Sequence, residues 1–116
     1  MAAVVLVYEP DLFFSSRIES AGKKFGLEVK TATNMNELRE RLKERSPKLL
    51  LVNLDALDER DESLAELVSL GSCRLLGYYS HVQTESAEKA LTRGFEKVIP
   101  RRAFAVKLSE IFAQVA

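Results

Sequence analysis

The residues able to do chemistry fall into four short stretches of this 116-residue chain, each just after an apolar run. Glu9 and Asp11 flank Pro10, Asn53 and Asp55 flank Leu54, Tyr79, Ser80 and His81 are contiguous, and Arg101 and Arg102 follow Pro100. Serine beside histidine suggests nucleophilic catalysis, but no acid stands nearby to orient the imidazole and no Gly-x-Ser-x-Gly turn is present. His81, the single histidine, reads as a polar loop group able to tune a surface with pH. Asp55, Asp58, Glu59, Asp61 and Glu62 form an acidic loop that could hold a cation adventitiously. It lacks the spacing and central glycine of a calcium loop. Gly22, Gly26, Gly71, Gly77 and Gly94 build no phosphate-binding loop. The turn from Tyr8 to Asp11 has no glycine, which argues against a dinucleotide-binding fold.

Composition narrows the classes further. The length fits one domain, residues 1–116,. Acids and bases balance at 17 each, which argues against a nucleic-acid or membrane-surface role, since such roles favour a basic excess. Cys73 is the lone cysteine. It permits no intrachain disulfide and no multi-cysteine metal site, and reads as a small hydrophobe. No apolar run approaches the roughly 18 residues that would span a bilayer. The start of the chain lacks the basic flank of a signal peptide, so a cytoplasmic protein is expected.

The elements that must position these residues alternate. Apolar runs at Val4 to Tyr8, Leu27 to Thr31, Leu49 to Asn53, Arg74 to Tyr79 and Lys97 to Pro100 read as strands. Three of them are continuously apolar, as strands buried on both faces are. Phe14, Ile18, Ala21 and Phe25 share one face of a first helix, with Ser15, Ser16 and Lys23 outside and Gly26 as its stop. Asn34 caps a second helix from Met35 to Lys43, ended by Pro47. Ser63 to Leu70 and Thr84 to Arg93 give two more helices. Phe104 to Ala116 gives the last, with Phe104, Leu108, Ile111, Phe112 and Val115 inward. Of the adjacent pairs Phe13–Phe14 and Tyr78–Tyr79, one member each should enter the core. Five strand–helix repeats imply an α/β fold: a parallel sheet covered by helices on both faces.

The order and spacing of Val5-Leu6-Val7-Tyr8-Glu9-Pro10, Ser46-Pro47-Lys48-Leu49-Leu50-Leu51-Val52-Asn53-Leu54, Leu75-Leu76-Gly77-Tyr78-Tyr79-Ser80-His81 and Ala90-Leu91-Thr92-Arg93-Gly94-Phe95 resemble the receiver domain of bacterial response regulators, over the whole chain. The resemblance implies a doubly wound (βα)5, flavodoxin-like three-layer sandwich with strand order 2-1-3-4-5 and a site at the carboxyl ends of the central strands. In that family two acids after strand one and an Asp after strand three hold Mg²⁺, and the Asp accepts a phosphoryl group. A Thr or Ser after strand four and a Lys after strand five orient the phosphoryl oxygens. Here the acid pair matches Tyr8 and Glu9, the acceptor Asn53, and the Lys Arg101. The hydroxyl position matches Tyr79, or Ser80 with a shift of one. The family's strand-five switch aromatic matches Val98.

An amide is a poor nucleophile, and one carboxylate makes a weak Mg²⁺ site. The resemblance therefore implies an atypical receiver, or pseudo-receiver: not an enzyme, without a metal or other cofactor, binding another signalling protein through its surface. Aromatic packing by Tyr8, Tyr78, Tyr79 and the Phe13–Phe14 pair could replace the acidic pocket. A basic patch of Lys89, Arg93, Lys97, Arg101, Arg102 and Lys107 is one candidate interaction surface, although Glu85, Glu88 and Glu110 offset it as on an ordinary solvated face. A homodimer is possible and nucleic acid is the weaker partner. Two alternatives stand beside this reading: a receiver phosphorylated at Asp55, and a small flavodoxin-like ligand-binding domain.

Overall fold

The computed structural model describes residues 3–44, 46–56, 74–80 and 94–115. Strand β1 (Val4–Tyr8) leads to helix α1 (Leu12–Lys23), β2 (Glu28–Ala32), α2 (Met35–Glu44), β3 (Leu49–Asn53) and a 3₁₀ turn at Leu54–Ala56. Then come β4 (Arg74–Tyr79), β5 (Lys97–Pro100) and the final helix α3 (Arg101–Val115). The helices expected at 63–70 and 84–93 lie outside the described residues, as do Asp58, Glu59, Asp61, Glu62, Cys73, His81, Lys89 and Arg93.

All five strands run parallel in the order β2-β1-β3-β4-β5. Strands β1 and β3 are buried at every position, the consequence of cover on both sheet faces. On one face Val5, Val7, Leu49, Leu51, Leu76 and Tyr78 meet α1 and α3 through Phe14, Ile18, Phe104, Leu108 and Phe112. On the other Leu6, Tyr8, Leu50, Val52 and Leu75 meet α2 through Leu38, together with Leu54 and Phe95. The period of two along each strand sorts the residues between these layers.

Local chemistry sets the helix ends. Asp11 caps α1, its Oδ1 accepting from Phe13 N at 2.9 Å and Phe14 N at 3.4 Å, which satisfies two of the helix's orphan donors. The other end closes as a Schellman motif, with Leu27 N donating to Gly22 O and Gly26 N to Lys23 O, at 3.1 Å each. Gly26 takes φ 70° there, a conformation that costs a side chain dearly and glycine little. Asn34 caps α2 as expected, its Oδ1 accepting from Glu37 N at 2.9 Å.

Three local expectations shift. Ser15, expected outside, is buried and donates its hydroxyl to Leu12 O at 3.1 Å. That bond to the preceding turn lets a polar side chain sit on the inner face. Strand β2 starts at Glu28 rather than Leu27, because Leu27 belongs to the helix stop. Helix α3 starts at Arg101 rather than Phe104, because Pro100 supplies a fixed φ and the helix follows at once.

Gly22 lies where α1 packs on β2, and a Cβ there would overlap Val29 Cγ2. Overpacking of this kind costs about 1–3 kcal/mol, and alanine's higher helix propensity returns up to about 1 kcal/mol. Gly22→Ala is therefore expected to lower stability by about 1–2 kcal/mol in urea unfolding. Adding Val29→Ala should shrink or reverse the effect of Gly22→Ala.

Candidate functional site

The carboxyl edge of the sheet brings together three polar side chains from separate strands. The register pairs Tyr8 with Val52 and Asn53 with Tyr78, so one residue past β1 Glu9 comes beside Asn53. Glu9, Asn53 and Tyr78 share the sheet face that α1 and α3 cover. Glu9 is 1% exposed, Asn53 8% and Tyr78 0%.

A carboxylate has about four lone-pair positions and no donor, and all four are used at Glu9. Its Oε1 accepts from Asn53 Nδ2 at 3.1 Å and from the Tyr78 hydroxyl at 2.8 Å. Its Oε2 accepts from Asn53 Nδ2 at 2.9 Å and from the backbone N–H of Asp11 at 3.1 Å. Asn53 Oδ1 in turn accepts from Asp55 N at 3.0 Å, so the orientation of the amide is determined from both ends. Burial pushes the Tyr78 phenol well above its ordinary range, and the charge of Glu9 and its hydrogen bond push it further. The hydroxyl thus remains a donor at any physiological pH.

Tyr78 is also the centre of an aromatic group. It stacks on Phe104 with centroids 4.2 Å apart and planes 10° apart, and meets Phe14 edge-on at 5.6 Å. The Arg101 guanidinium lies 4.1 Å above the Phe14 ring and reaches Asp11 Oδ2 at 3.5 Å. Helix capping, and secondarily Arg101, hold the Asp11 carboxyl below its usual range.

Of the residues singled out in the sequence, Glu9 and Asn53 meet in this cluster. Tyr8 is buried on the opposite face among Leu38 and Val52, where burial raises its pKa. Tyr79 is half-buried against that same layer. Only Tyr78 of the three tyrosines fills the pocket, because strand alternation turns Tyr79 away from Tyr78 on β4 and Tyr8 away from Glu9 on β1,. Phe14 is buried and supports Tyr78, whereas Phe13 is 88% exposed. Arg101 turns to Phe14 and Asp11. Ser80 donates its backbone N–H to Asp55 Oδ2 at 2.8 Å, joining the loops after β3 and β4. Val98 is half-buried on the α2 face. Lys97, Arg102 and Lys107 are exposed. Sequence reasoning grouped Tyr78 with Tyr8, Tyr79 and the Phe13–Phe14 pair as aromatics that could fill the pocket, and did not single it out. The signal that could have found it is its pairing with Asn53, which only the register reveals.

No family model matches the chain, and no curated protein matches it. Solved structures do. A response regulator from Thermotoga maritima superposes with a TM-score of 0.83 at 16% identity, covering 99% of this chain and 98% of that one. An orphan response regulator of H. pylori gives 0.80 at 17% identity, over 98% and 97% of the two chains. NtrX from Brucella abortus gives 0.75 at 20% identity, with this chain spanning 28% of its length. The fold is that of the response-regulator receiver domain.

Receivers imply Mg²⁺, and the residues present do not fit it. The Glu9 carboxylate already accepts four hydrogen bonds from three donors, the Asn53 amide turns its N–H₂ toward it, and Asp11 caps a helix and pairs with Arg101. Among the described residues no three His, Cys, Asp or Glu side chains gather as a metal would require.

Two consequences can be measured. Asn53→Leu keeps the bulk but removes two charge-assisted hydrogen bonds to a buried carboxylate, and should lower stability by about 3 kcal/mol in urea unfolding. Asp11, whose pKa is depressed in the folded state, contributes stability that is present above the ordinary aspartate pKa and lost as pH falls through the lower folded value. The thermal midpoint of the wild type should therefore fall more steeply below about pH 4 than that of Asp11→Asn.

Proposed function

We propose that this chain is an atypical receiver domain that works as a protein-interaction module in bacterial signalling, without accepting a phosphoryl group. The observation that carries the reading is the Asn53 amide donating to both oxygens of Glu9. An amide is uncharged and its nitrogen's electron pair is delocalised into the carbonyl, so Asn53 is a poor nucleophile toward phosphorus, and here its N–H₂ is committed to Glu9. The amide oxygen is turned to Asp55 N. The remaining positions support the same reading: Arg101 pairs with Asp11, Tyr8 is turned to the opposite face, and the Tyr78 phenol donates to the one retained acid, Glu9.

The alternative acceptor, Asp55, sits in the 3₁₀ turn beyond β3 with its Oδ2 toward Ser80 N. Its backbone N–H serves Asn53, so the turn acts as a brace for the amide. A ligand-binding flavodoxin-like domain finds no support in the turns, which carry no glycine-rich loop. The exposed cations Lys97, Arg102 and Lys107 are candidates for recognition by a signalling partner.

Incubation with acetyl phosphate and Mg²⁺, read by intact mass, tests the reading. The mass is expected to stay unchanged for the wild type and for Asp55→Asn. A stoichiometric, base-labile gain of one phosphoryl group on the wild type that Asp55→Asn abolishes would assign phosphorylation to Asp55 instead.

A further inference from the structure

Asn53 and Tyr78 do more than fill a pocket. The contacts around Glu9 form a closed circuit. Glu9 accepts from Tyr78, Tyr78 stacks on Phe104 in the first turn of α3, and Arg101 begins that same helix. Arg101 pairs with Asp11, and the Asp11 backbone N–H returns to Glu9. Phe14, on α1, lies inside the ring, edge-on to both Tyr78 and Phe104 and beneath Arg101.

We propose that the pocket is self-liganded, with the Asn53 amide and the Tyr78 hydroxyl occupying Glu9 in place of a cation, and that Tyr78 thereby locks the start of α3 to α1 in a single arrangement. This inference rests on reading the pocket as closed, and gives the closed pocket a purpose, which is to hold the α1/α3 face in one state without any ligand. Three observations converge on it. The carboxylate is 1% exposed and fully engaged. Every donor side chain comes from a different strand, so the bonds cross the sheet. Tyr78 touches both the carboxylate, through its hydroxyl, and α3, through its ring, which contacts Phe104 almost face to face. Tyr78 is a positioning residue in this scheme. Its hydroxyl aims the ring, and the ring aims the helix.

Two variants separate this lock from ordinary core packing. Tyr78→Phe keeps the ring and removes the hydroxyl. Amide hydrogen exchange at Ala105 to Leu108 should then accelerate about tenfold, while Leu38 to Leu42 of α2 keep their wild-type rates. Equal acceleration in both helices, or none in α3, would show that Tyr78 only packs. Asn53→Asp sets a second carboxylate against Glu9 and tests the self-liganding without relying on Tyr78. Its thermal midpoint should fall, then rise by about 5 °C or more in millimolar MgCl₂, whereas the wild-type midpoint stays put. A wild-type midpoint that climbs with MgCl₂, or an Asn53→Asp chain as stable as wild type without it, overturns the proposal. Phosphorylation at Asp55 would sink the proposed function, whereas the Tyr78→Phe exchange pattern, read without phosphate or metal, decides the lock separately.

Discussion

One buried carboxylate governs the polar end of this molecule. Glu9 is withdrawn from water by the same sheet and helices that form the core, and a carboxylate so placed is tolerable only if its lone pairs are satisfied. The donors must come from elsewhere in the chain, and each comes with its own backbone. Asn53 comes with β3, Tyr78 with β4, and the Asp11 N–H with the turn that starts α1. Meeting that single requirement sets the carboxyl ends of three neighbouring elements relative to one another.

Neutral donors solve the problem differently from a metal. A divalent cation would stabilise several carboxylates at once and would leave when its ligands changed, giving a site with two states. An amide and a phenol are covalently part of the chain and cannot leave. The amide's geometry is further determined by Asp55 N on its oxygen, and the phenol's by the stack on Phe104. The low dielectric of the interior strengthens each of these bonds and equally raises the cost of breaking one. A pocket built this way is a brace.

Much of the fold was legible because it follows from periodicity. Continuous apolar runs marked β1, β3 and β4, helical spacing marked the inward faces of α1 and α3, and Gly26 and Asn34 marked ends whose chemistry is local. The misreadings share a cause. Ser15 was expected outside because of its polarity, and a hydrogen bond to its own helix removed that objection. Helix α3 was started late because Arg101 and Arg102 do not show the apolar period. At the site, the resemblance singled out Glu9 and Asn53 and matched the hydroxyl position to Tyr79, or Ser80 with a shift of one; that Tyr78 is the tyrosine beside Glu9 followed only from the register. Phe14 was expected in the core, yet its support of both Tyr78 and Arg101 follows from no local pattern.

The chain by itself determined that Glu9 stands after the first strand, that an amide ends the third, and that strands and helices alternate. These are properties of residue type and spacing within one segment. Tertiary structure decided which tyrosine meets Glu9, because that depends on the register between β3 and β4. A shift of one residue there would send Tyr78 to the other face and bring Tyr79 inward. Tertiary structure also decided where Arg101 goes, since its partners Phe14 and Asp11 lie at the far end of the sequence and come within reach only when α1 and α3 pack on the same side of the sheet.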